Sequence, residues 1–155
     1  MRSFLIGTVV AASLSAAAAQ AGPLPDGGAT AQEIAAVLQA KGYRAQIGVD
    51  RQGDPLITSA GEGSEFKVVF YGCKVGRCHS IEFSVAYDLP NGIAPAKIND
   101  WNRKKRFGRA FVDEVNDPFL KMDVDLEHGS TTESVANNLD TWLSVLRDFR
   151  QFIRE

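Results

Sequence analysis

Six large apolar residues near the C-terminus, Val135, Leu139, Trp142, Leu146, Phe149 and Ile153, are spaced 4, 3, 4, 3 and 4 apart. That spacing keeps them on one stripe of an α-helix for about five turns. Ser130 and Glu133, just ahead of the stripe, predict a capping box that starts the helix. At roughly 2 kcal/mol per fully buried large side chain, the stripe contributes on the order of 10 kcal/mol before conformational entropy is subtracted. A seam of this kind needs a face to cover, and the rest of the chain supplies a sheet.

Upstream the period changes. "TAQEIAAVLQAKG" carries a capping box at Thr30 and Glu33, apolar Ile34, Val37 and Leu38 on one face, and Gly42 as a stop. "YRAQIGVD" then alternates Tyr43, Ala45, Ile47 and Val49 with smaller or polar residues, which is a strand pattern. "LITSA", "EFKVVFY" and "SIEFSVAYDL" follow as strands separated by Gly-rich turns. "PNGIAP" breaks the sheet, and "AKINDWNRKKRF" predicts a helix with Ile98 and Trp101 inward. "GRAFVDEV" and "FLKMDVDLE" predict a last strand pair around "NDP". Leu120, Met122, Val124 and Leu126 alternate cleanly in the second strand, while Phe111 and Val112 compete for burial in the first. The order is α-β-β-β-β-α-β-β-α, an α+β domain of antiparallel strands covered by helices.

The same alternation addresses the two cysteines. If Cys73 faces Cys78 across a hairpin, Phe70 falls opposite Ile81, Val68 opposite Phe83 and Phe66 opposite Val85, all on one face. A slip of one residue would set Ser and Glu against that apolar set. The register leaves "KVGR" as the loop, with Gly76 free to take a positive φ. Opposed residues have Cα atoms about 4.5–5.5 Å apart, within the range of roughly 4.4–6.8 Å that a disulfide accepts. The pattern therefore favours a Cys73–Cys78 disulfide over a metal or redox pair. It also disfavours haem attachment, because alternation sends His79 to the other face and the spacing departs from C-x-x-C-H.

Composition adds a compartment. Met1-Arg2, the apolar run Phe4 to Leu14 and the small residues beyond it read as a secretory leader over residues 1–21, cleaved after Ala19 or Ala21. "AGPLPDGG" then reads as a flexible linker over residues 22–29, and residues 30–155 as a single domain. The expected location is periplasmic or secreted, with no stable membrane insertion after cleavage. The chain has 17 basic and 19 acidic side chains, and loss of the leader removes only Arg2. A slightly acidic exported domain is not a nucleic-acid binder.

Candidate chemistry is sparse. Asp123, Asp125 and Glu127 form an acidic strand face without the loop geometry of a calcium site. His79 and His128 lie in no recognisable hydrolase motif, and a paired His and carboxylate would be needed to make one. No cofactor or metal is expected. Arg103, Lys104, Lys105, Arg106 and Arg109 make a basic run that reads either as a solvated helix face beside Asp113, Glu114 and Asp117 or as a patch for an acidic partner.

The segment from Ile98 to Phe149 resembles the YbjN family of bacterial sensory transduction regulators. The resemblance rests on Asn99, Trp101 and Asn102, on "RFGRAF" (Arg106 to Phe111), on the acidic strand pair and on the final Trp-bearing helix. "YGCKVGRC" looks like an exported, cysteine-bearing branch. The family implies a fold similar to type III secretion chaperones, which bind extended segments of other proteins. On that basis the expected function is a non-catalytic protein-interaction domain with a protein partner. Its expected contact residues are Trp101, Asn102, Arg103, Lys104 and Arg106. The alternative is a small-ligand or haem-binding module.

Overall fold

The hairpin register expected from the apolar pattern is the register observed. In the computed structural model, which describes residues 22–25 and 27–154, β3 (Ser64–Tyr71) pairs with β4 (Ser80–Ala86) so that Val68 faces Phe83 and Phe70 faces Ile81. Four further strands extend this pair into one antiparallel sheet: β1 (Gln46–Val49), β2 (Pro55–Gly61), β5 (Arg109–Val112) and β6 (Pro118–Asp125). The spatial order is β1-β2-β3-β4-β6-β5. Three helices, α1 (Ala31–Ala40), α2 (Pro95–Lys104) and α3 (Thr132–Phe152), complete the expected element order.

Each strand turns alternate residues to the helices. Phe66, Val68, Phe70, Ile81, Phe83, Leu120 and Val124 are buried on that face, under the α3 stripe of Val135, Leu139, Trp142, Leu146 and Phe149. Trp142 sits at the centre, stacked on Phe83 at 5.7 Å and edge-on to Phe66 at 5.9 Å. Such aromatic pairs add to what burial alone provides. Trp101 of α2 meets Phe149 and Phe152 of α3 at 4.9 and 5.4 Å, so all three helices share one core with the sheet.

The disulfide joins Cys73 to Cys78, as the register required. The ladder runs closer to the tip than expected. Lys74 also pairs with Arg77, leaving Val75 and Gly76 as a two-residue turn with φ of +50 and +79. Two positive φ values define the turn type whose twist suits a hairpin.

Three expectations need correction. The described residues 22–25 and 27–29 are packed rather than a flexible linker. Ala29 exchanges two backbone hydrogen bonds with Cys78 at 2.8 and 3.0 Å, and Leu24 is buried with its N–H on the Ser130 carbonyl. The backbone supplies this attachment, so no side-chain periodicity announces it. Second, α3 is capped by Thr131, whose hydroxyl accepts from the Ser134 N–H, and not by Ser130. Third, α2 stops at Lys104. Lys105 has left helical conformation to feed the chain into β5, so "KRF" lies beyond the helix.

β1 follows its alternation in direction but not in burial. Ile47 and Val49 face the helix side, yet are 43% and 69% exposed. The Asp50 N–H bonds the Asp54 carbonyl, so by alternation Ile47 and Val49 present their backbone groups outward on an open edge. The leader assigned to residues 1–21 lies outside the described residues.

Candidate functional site

The expected contact residues divide into two groups. Proline at the first position of α2 sets the helix entry, and Ile98 and Trp101 turn inward against α3. Trp101 is 1% exposed and its indole N–H donates to the Gly108 carbonyl at 3.0 Å. Asn102 accepts from the Ala110 N–H and donates to the Ala110 carbonyl, both at 2.9 Å. β5 is an edge strand, and Gly108 and Ala110 are where its backbone points away from β6. The two side chains therefore stand in for a neighbouring strand along the first half of that edge. Trp101 is taken up inside the fold, and Asn102 stays at the surface with its amide engaged by Ala110.

The other three residues face solvent. Arg103 is 73% exposed and meets only Asp100, one turn back, at 3.1 Å. Arg106 lies over the Phe107 ring at 5.2 Å, and Phe107 itself is 48% exposed. Lys104 is exposed and makes no side-chain bond among the described residues. Arg103 and Lys104 occupy the last turn of α2, where a cation also offsets the helix dipole. Lys105 differs from these: it bonds Asp148 at 2.8 Å and covers Trp101, tying α2 to α3.

The open face of the sheet holds a group the sequence did not single out. Glu82 is 4% exposed, yet it projects away from the helices. Its carboxylate accepts from Lys121 at 2.9 Å and from the Tyr71 hydroxyl at 3.2 Å, with Arg109 at 3.6 Å. Phe111 and Phe119 stack at 5.1 Å beside it, with Arg109 and Lys121 over the Phe111 ring. A glutamate among small and apolar residues of β4 is the sequence signal that could have found this network. Oε1 accepts both hydrogen bonds and Oε2 faces Arg109, so the buried carboxylate has its partners within the sheet face.

Burial raises the Tyr71 pKa above 10.0, helped by the charge of Glu82 and the hydrogen bond to it. Burial also raises that of Tyr87, against the Ser64 hydrogen bond and the charges of Arg150 and Arg154. A group with a raised folded pKa binds its proton more tightly in the folded state. Both tyrosines therefore add stability that is full below about pH 10 and is lost as pH rises through their folded pKa values. The melting temperature should fall across that alkaline window together with the rise of phenolate absorbance. In Tyr71→Phe part of this fall should disappear; an unchanged profile would contradict the assignment.

The remaining candidates are dispersed. His79 Nδ1 meets Glu127 at 3.3 Å, the paired His and carboxylate that a hydrolase would need. Among the described residues no hydroxyl or thiol bonds its other nitrogen, so the pair lacks a nucleophile. Both thiols are consumed by the disulfide, which removes them from thioether or metal chemistry. Asp123 and Asp125 stand exposed on the open face of β6, and no group of three metal-ligating side chains converges among the described residues.

The fold and this surface define a small α+β domain with a partly capped sheet edge and an exposed basic helix end. The family model described as "YbjN: Putative bacterial sensory transduction regulator" matches residues 30–155, and the chain belongs to that family. No curated protein matches it. The family description is that of a regulator.

Proposed function

We propose that the protein is an exported, non-catalytic interaction module that docks an acidic segment of a protein partner on the end of α2. The observation that carries this reading is the run Arg103, Lys104 and Arg106 beside exposed Phe107, mounted on a helix fixed from beneath by Trp101 and Asn102. Cations on a rigid support with an apolar anchor suit an acidic segment with an aromatic or aliphatic residue in it. Export is supported by the leader pattern of residues 1–21 and by the disulfide, which persists in an oxidising compartment.

The test compares capture of partners from periplasmic extract by the wild-type chain and by Arg103→Ala/Lys104→Ala/Arg106→Ala. A specific partner should be recovered by the wild type, reduced several-fold by the triple variant and released by moderate salt. Capture that is indifferent to both the substitutions and salt would place the docking surface elsewhere.

A further inference from the structure

A second cationic feature lies at the C-terminal end of α3, joined to the end of α2 through the Lys105–Asp148 ion pair. Arg147 and Arg150 are three residues apart on one face of the helix, and Arg154 follows in the turn just beyond its end. Together with Glu62 and Gln151 they line a cleft of about 510 Å³ between α3 and the β2–β3 turn. That volume lies within the usual range for small-ligand sites, roughly 300–1,000 Å³.

Among the described residues, no carboxylate pairs closely with these arginines where they converge. Arg150 donates to the backbone carbonyl of Glu62 at 3.0 Å, and no ion pair joins the Glu62 carboxylate to any of the three. Arg147 approaches Asp148 only at 3.9 Å, and that carboxylate is already held by Lys105 at 2.8 Å. Arg154 is exposed and has no side-chain partner among the described residues. The turn is shaped around this arrangement. Gly63 has φ of +73, and a Cβ there would run into the Arg150 guanidinium. The carbonyl bond and the missing side chain hold one guanidinium in place before any ligand arrives. Cations near a helix C-terminus also offset its dipole, but that role does not require a facing turn built to admit one of them.

We propose that this cleft binds a phosphoryl-class oxyanion carrying two or more negative charges on a soluble small molecule. Three guanidinium forks around one concavity repel each other until an anion joins them, and their planar donor pairs match phosphoryl oxygens two at a time. The Ser64 and Tyr87 hydroxyls, bonded to each other at 2.8 Å just after the turn, place further polar groups beside it.

Calorimetric titration of the purified chain with pyrophosphate, at constant ionic strength set with sodium chloride, tests the assignment. The wild type should bind with one-to-one stoichiometry. Arg147→Gln/Arg154→Gln should lose about tenfold or more in affinity, with its melting temperature close to wild type because both positions are exposed. The α2 triple variant should bind like the wild type, so loss of partner docking and loss of anion binding are separable. No binding by the wild type would overturn the proposal. So would equal binding by the Arg147/Arg154 variant, or equal weakening by the α2 variant, which would mark diffuse surface charge.

Discussion

Replacement of Trp142 by alanine is expected to remove about 3–5 kcal/mol of unfolding free energy, the range for large aromatics deleted from a packed core. The residue is fully buried, and its ring is the contact through which α3 grips Phe66 and Phe83 of the sheet. Phenylalanine should behave differently. The Trp142 indole N–H is buried without a hydrogen-bond partner, so its removal offsets part of the lost packing, and Trp142→Phe should cost less than about 1.5 kcal/mol. Trp101 provides the contrast. Its N–H serves the Gly108 carbonyl, so Trp101→Phe should cost more than Trp142→Phe although both indoles are equally hidden. Urea unfolding of the three variants checks the order; equal costs for the two phenylalanine variants would mean that the Trp101 bond contributes nothing.

The second large effect is expected at Gly28. Its φ is +85, and an added Cβ would overlap the carbonyl of Cys78, which is backbone and cannot rotate away. Gly28→Ala must therefore break the paired hydrogen bonds between Ala29 and Cys78 as well as strain its own dihedral. With about 1–2 kcal/mol for the left-handed conformation and about 1 kcal/mol for each bond, the loss should be about 3–4 kcal/mol. Gly76 has a similar φ of +79 with nothing near its missing Cβ, so Gly76→Ala should show only the dihedral part. Thermal melts of the two variants separate collision from strain. A Gly28→Ala protein no less stable than Gly76→Ala would show that the N-terminal attachment is dispensable.

What could be read from the sequence follows the range of the forces involved. The β3–β4 register was legible because its apolar pairs fall on one face only when Cys73 meets Cys78. The α3 stripe was legible for the same local reason, while its cap was misplaced by one residue because Ser130, Thr131 and Thr132 are all competent caps. The attachment at Ala29 was not legible, since it reaches Cys78 through backbone groups that every residue possesses. The roles of Trp101 and Asn102 were hidden for a related reason: each bonds a backbone atom several residues away, on a strand whose edge position depends on the whole sheet. The arginine cleft was half visible. Its arginine spacing around the end of α3 is in the sequence, but the facing turn at Glu62 and Gly63 is brought there only by the fold.

The sheet has one blunt end and one cohesive end. Trp101 and Asn102 occupy the outward groups of Gly108 and Ala110, while the outward groups of Ile47 and Val49 stay open. Strand addition is therefore favoured at β1 over β5. Two copies that met through β1 would each hide the cohesive end and leave the capped one facing outward. A chain built this way can accept one strand, its own or another's, with less tendency to become the first unit of a fibre.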